Sequence, residues 1–89
     1  MNYETEYDLN ECLTVTVDYY VIWDVDYQER DYFFVEIDSV WADLLVYGKR
    51  DEPTRYERVN VFPVLSVDQL DRMEKHCEAH AERMMQEDP

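Results

Sequence analysis

Glycine is nearly absent, with Gly48 alone in a chain of 89 residues. Phosphate-cradling loops use several glycines for tight turns and close backbone approach, so nucleotide loops of that kind are excluded. Bases are scarce too, 8 against 22 acids, giving a formal net charge of −14. An acidic surface repels a phosphate backbone, which argues against direct binding of nucleic acid. Anionic membrane surfaces are disfavoured for the same reason. No apolar run approaches the ~20 residues of a transmembrane helix. The opening MNYETEYDLNE has neither the basic nor the apolar region of a signal peptide, so a cytoplasmic location is expected. Cysteine is limited to Cys12 and Cys77, which in a reducing compartment are expected as free thiols.

What is present excludes a disordered acidic tail. Residues are 46% hydrophobic and 15% aromatic, enough for one modest core and a single domain over residues 1–89. The charge imbalance works against compactness, because like charges repel across a small fold. The composition describes a folded domain with an acidic coat, and the partner it implies is basic: a nucleic-acid-binding protein. Calcium is the weaker option, since Asp24 and Asp26 form a D-x-D without the glycine and bidentate glutamate of an EF-hand loop.

Residues 13–27, LTVTVDYYVIWDVDY, organise the chain. Odd positions from Leu13 to Tyr27 are apolar or aromatic, and the even positions include Asp18, Asp24 and Asp26. This is the period of a β-strand with one buried face and one wet face. At ~3.3 Å per residue such a strand spans about 50 Å, so it must bend, bulge or project past its partners. Residues 28–31, QERD, read as a hairpin loop, and residues 32–41 as a second alternating strand. In a simple hairpin Phe33, Val35, Ile37 and Trp41 join the core row, Phe34 and Val40 face the other way, and Asp18, Asp24, Glu36 and Asp38 share that wet face. A link at Asp43 leads to a third strand over residues 44–47, and a Gly-to-Pro loop over 48–53 leads to a fourth over 55–62. Residues 1–11 read as an arm or edge strand.

Residues 66–86 carry the pattern of a helix. Ser66 and Gln69 form a capping box, and Leu65 with Leu70 fits a hydrophobic staple. Val67, Leu70, Met73, Cys77, Ala81 and Met84 make one narrow apolar stripe. The expected fold is α+β: an antiparallel sheet of three to four strands over residues 12–62, with one C-terminal helix packed on one face.

Little here suggests catalysis. Ser39 lies within a strand, Ser66 is a cap, and a small sheet with one helix offers little concavity for opposed carboxylates. His76 and His80, at i and i+4, have a zinc-compatible spacing beside Cys77. Cys77, however, belongs to the apolar stripe, and the histidines read as half-exposed flanks. No enzyme, cofactor or metal is expected.

The wet face is where a partner is expected. A solvated face for solubility is the plain account of such acids. Three features favour more: Tyr20, Ile22 and Phe34 are interleaved with the acids, and the bases gather at Lys49, Arg50, Arg55 and Arg58. The third is spacing, because carboxylates at i and i+2 stand about 6.6 Å apart. That compares with successive phosphates, whose separation exceeds the ~3.4 Å axial rise. The candidate contacts are Asp18, Tyr20, Asp24, Asp26, Glu29, Asp31, Phe34, Glu36 and Asp38.

The segments VEIDSVW (residues 35–41) and LSVDQLDRMEKHCEAHAE (residues 65–82) resemble those of many small phage and prophage proteins. Size and acidity are also similar to phage inhibitors that mimic nucleic acid, such as anti-restriction proteins, anti-CRISPR proteins and the uracil-DNA glycosylase inhibitor. None of their diagnostic motifs is present, so no residue role carries over. The resemblance implies a non-enzymatic inhibitor in a bacterial host's cytoplasm, occupying the basic groove of a CRISPR effector or a restriction or repair enzyme. The alternative is a phage accessory or structural protein acting as a homodimer.

Overall fold

The computed structural model describes residues 2–87. Four strands, β1 (Asn2–Asn10), β2 (Leu13–Val25), β3 (Asp31–Val46) and β4 (Arg55–Asn60), form one antiparallel sheet in sequence order. A 3-10 turn over Phe62–Val64 leads into a single helix, α1 (Val67–Glu87). The α+β architecture expected from the sequence is the one observed, with the opening segment as an edge strand. No helix among the described residues is long and apolar enough to cross a membrane.

The core lies between α1 and the sheet. Val15, Val17, Tyr19 and Val21 of β2 are buried there with Val35, Ile37, Val40 and Ala42 of β3. From the helix come Met73, Cys77 and Ala81, all completely buried at a strict spacing of four. Each valine, isoleucine or methionine among them stabilises the fold by roughly 1.5–3 kcal/mol. The cap forms as the sequence predicts: Gln69 N–H donates to Ser66 Oγ at 3.2 Å, and Ser66 N–H donates to Gln69 Oε1 at 2.8 Å. Two positions of the stripe differ from expectation. Val67 and Met84 are exposed, and Met85 packs on the core instead. Steps of four from Met73 to Met85 follow one inclined ridge of the helix, and Met84 falls to its side.

The larger difference is in β3. The expected second and third strands are one, Asp31–Val46, since residues 41–46 pair without a break along β4, and a β-bulge stands where Asp18 pairs with Ser39 and Tyr19 with Ile37. Asp38 is the extra residue, and an extra residue exchanges the two faces beyond it. Val40, expected outward, is therefore buried against the helix, and Trp41, expected in the core row, stands on the open face opposite Thr16. Asp43, expected as a link, pairs with Arg58 in mid-ladder.

The sheet is long and narrow, and the molecule measures 64 × 30 × 21 Å. β1 reaches only to the Asn2–Tyr20 pair, so beyond it β2 and β3 continue as a two-stranded ribbon. There the core row runs out of helix: Trp23 is 52% exposed and Tyr27 91%. At the other end β3 and β4 form a second ribbon carrying Leu45, Tyr47 and Tyr56, all exposed. Gly48 permits its turn, since a Cβ there would collide with the Glu52 backbone carbonyl.

Candidate partner-binding face

The face opposite α1 is covered by no element among the described residues, and it gathers acids from three strands. β2 contributes Asp18, Tyr20 and Ile22; β3 contributes Phe34 and Glu36, with Asp38 at the bulge. To these the structure adds a row that the sequence reading missed: Glu4, Glu6 and Asp8, exposed along β1 and registered against Asp18, Thr16 and Thr14. Its signal was present in the alternation of Tyr3, Thr5, Tyr7 and Leu9 with polar residues, which is the period of a half-buried strand. Glu4 sits directly opposite Asp18, a like-charge pair that costs roughly 0.2–1 kcal/mol. Between them lies a depression of about 260 Å³ bounded also by Asn2, Tyr20 and Asp38.

Asp18 is the anchored member of this group. Ser39 Oγ–H donates to its Oδ2 at 3.0 Å, and Trp41 Nε1–H does so at 3.1 Å. The Arg58 guanidinium carbon stands 5.9 Å from the Trp41 ring centroid, so one of the clustered bases lies on this face after all, at its β4 margin. The only ion pairs among the described residues are Arg30–Asp26 at 3.2 Å and Arg55–Glu57 at 2.8 Å. None of the carboxylates of the open face belongs to either pair.

Asp24 and Phe34 continue this face along the ribbon, whereas Asp26, Glu29 and Asp31 leave it. Asp24 is on the ribbon, where its Oδ1 accepts from Val25 N–H at 2.8 Å and its Oδ2 from Tyr32 O–H at 3.4 Å. Asp26 builds the turn: its Oδ1 accepts from the N–H groups of Gln28 and Arg30 at 2.9 and 3.0 Å. Glu29 occupies the left-handed region with φ 60°, at the turn's tightest point. Asp31 pairs with Val25 in the core row and so points to the helix side, away from Asp18 and Glu36. Phe34 is exposed next to Tyr32, with ring centroids 6.5 Å apart.

The histidines hold the helix to the sheet. His76 Nε2–H donates to the Glu6 carbonyl at 2.8 Å, and His80 Nδ1 lies 2.6 Å from the Tyr19 hydroxyl. Burial, reinforced by the thiol of Cys77 and by Tyr3, pushes the Tyr19 phenol up to about 12. It therefore keeps its proton at neutral pH, and the phenol and the His80 ring share one hydrogen bond. Burial, then Glu74 and Glu78, likewise pushes the Cys77 thiol up to about 12. Cys12, exposed at the β1–β2 turn, and Cys77 are both free. Among the described residues no group of three or more His, Cys, Asp or Glu is placed to hold a metal ion.

The fold and face together define a class, a two-layer α+β protein with one bare acidic sheet face. Beyond that class the chain matches no family model, no curated protein and no solved structure.

Proposed function

We propose that this protein is a non-enzymatic inhibitor of phage type. It acts in the bacterial cytoplasm by occupying the basic nucleic-acid-binding groove of a host defence protein, a CRISPR effector or a restriction or repair enzyme. The observation that carries this reading is the row structure of the open face. Glu4, Glu6, Asp8, Asp18, Glu36 and Asp38 stand on one rigid, uncovered surface. None of them is ion-paired among the described residues. Strands about 4.8 Å apart, with carboxylates about 6.6 Å apart along each, set a fixed lattice of negative charge. Such a lattice speeds encounter with a basic groove and repels acidic competitors. Tyr20 and Phe34, flanking the lattice, supply apolar anchors.

The test is capture from a bacterial lysate followed by competition. The expected result is a nucleic-acid-handling protein released by added DNA or RNA and by salt, and not retained by a Glu4→Lys, Glu36→Lys variant. Retention indifferent to nucleic acid and to that variant sinks the reading.

The unpaired outer edge of β4, with Tyr56 and Val59 exposed, favours a second reading, a homodimeric accessory or structural protein. Light scattering at low and high salt separates the two, since a dimer unaffected by salt and without affinity for basic partners supports only the second.

A further inference from the structure

A second acidic surface lies on the helix side, where the β2–β3 ribbon leaves the core. A cleft of about 460 Å³ opens there between Trp23 and Phe33 of the ribbon and the C-terminal half of α1. Its floor is aromatic: the Trp23 and Phe33 rings are cross-strand partners with centroids 5.4 Å apart. Its walls carry Asp31 from β3 and Glu78 and Glu82 from α1. Glu78 and Glu82 are one turn apart and repel each other. Glu74, on the same helix, has its carboxyl raised by burial first and then by Asp71 and Glu78.

The other tryptophan is the internal comparison. Trp41 has the Arg58 guanidinium over its ring and the Asp18 carboxylate at its indole nitrogen, so ring, cation and acid are all supplied by the chain. Trp23 has the ring and three acids, and the described ion pairs give those acids no cation. An anion is repelled from this cleft, and a neutral apolar group leaves the carboxylates desolvated without a partner. A flat, delocalised cation satisfies both surfaces, stacking on an indole and forking onto carboxylates.

We propose that this cleft receives one arginine side chain of a protein partner, its guanidinium stacked on Trp23 and paired with Glu78, Glu82 and Asp31. The inference deepens the reading of a basic protein partner and rests on it for the partner's identity. The acid-lined cleft is contiguous with the projecting hairpin, so a partner gripping the open face has a second hold at the ribbon.

The test is an NMR titration of the full chain with the blocked peptide acetyl-Gly-Arg-Gly-amide, following the two indole N–H signals. The expected result is a saturable shift of the Trp23 signal with Trp41 unmoved, and no shift with the citrulline peptide. Affinity falls at least about tenfold in Glu78→Gln, Glu82→Gln, as expected when charge-assisted bonds are lost. Trp23→Leu abolishes binding, with the Trp41 signal reporting that the fold is intact. No shift at Trp23, or equal affinity for the citrulline peptide, overturns the proposal. So does a Trp23 shift that grows with protein concentration alone, because the occupant is then a second copy. Glu4→Gln, Glu36→Gln leaves peptide binding unchanged if the cleft is the site; loss in that variant alone overturns the cleft and leaves the open-face reading standing. Peptide binding at Trp23 without any captured nucleic-acid-handling protein supports the cleft and sinks the inhibitor reading instead.

Discussion

The two faces of β2 are built from alternate residues of one strand, yet they stand in opposite relation to folding. Val15, Val17, Tyr19 and Val21 are buried against a helix that meets them with Met73, Cys77 and Ala81. One residue out of phase, Asp18 confronts Glu4 across the ladder, and Tyr20 faces water beside Glu36. The first face stabilises the fold through burial, and the second opposes it through repulsion. A face that opposes folding carries a charge pattern that the core does not require.

Substitutions that treat the two faces alike test that contrast. The largest effect belongs to Val17→Asp, which puts a charge where the side chain is completely buried; a loss above about 4 kcal/mol in urea unfolding is expected. Thr16→Asp, its neighbour on the open face opposite Glu6, costs about 1 kcal/mol or less. Equal losses would erase the distinction. Within the helix, Met73→Ala costs about 2–5 kcal/mol. Met84→Ala, on an exposed position, stays within about 0.5 kcal/mol by the same measurement.

Alkali reads the covered face from another direction. Tyr19 and Cys77 are neutral acids whose pKa values in the fold are raised above their ordinary 10.0 and 9.0 to about 12. A raised value means that the folded state holds its protons more tightly. Their contribution is thus complete below pH 9 and lost as pH climbs to about 12. Circular dichroism should follow unfolding in that window, and Tyr19→Phe should shift its midpoint upward.

The open face gives smaller changes of opposite sign. Glu4→Gln with Glu36→Gln should raise stability by roughly 0.5–1 kcal/mol at low salt. The gain should shrink in 1 M salt, where the Debye length is about 3 Å. Smallest is Glu29→Gly, which relieves a left-handed residue in the turn at the entropic cost of a glycine and should add less than about 0.5 kcal/mol. Thermal melts check both.

How much of this was legible in the sequence follows from how each feature is encoded. Periodicity encodes a face, so the core row of β2, the helix and its Ser66–Gln69 cap were readable. A bulge has no periodic signature. In SVWADLLV both Val40 and Trp41 are apolar, so either phase beyond Asp38 reads as a plausible strand, and only burial in the core that holds Met73 and Cys77 chooses Val40. The open-face candidates Asp18, Tyr20, Glu36 and Asp38 do come together, because they lie within or just before the phase shift. Asp31 does not, because its pairing with Val25 puts it in the core row. Asp26 carries the turn, a role set by backbone N–H groups that sequence spacing does not display.

The elongated outline has a consequence for surface area. A compact chain of this length has a radius of gyration near 12 Å, and this one has 16.8 Å. A folded monomer of 10.9 kDa ordinarily exposes about 5,600 Å². This molecule exposes 6991 Å². The excess exceeds the ~800 Å² that one partner contributes to a standard protein–protein interface. The two ribbons thus let a chain of 89 residues present a surface that a rounder fold of the same mass has no area to offer.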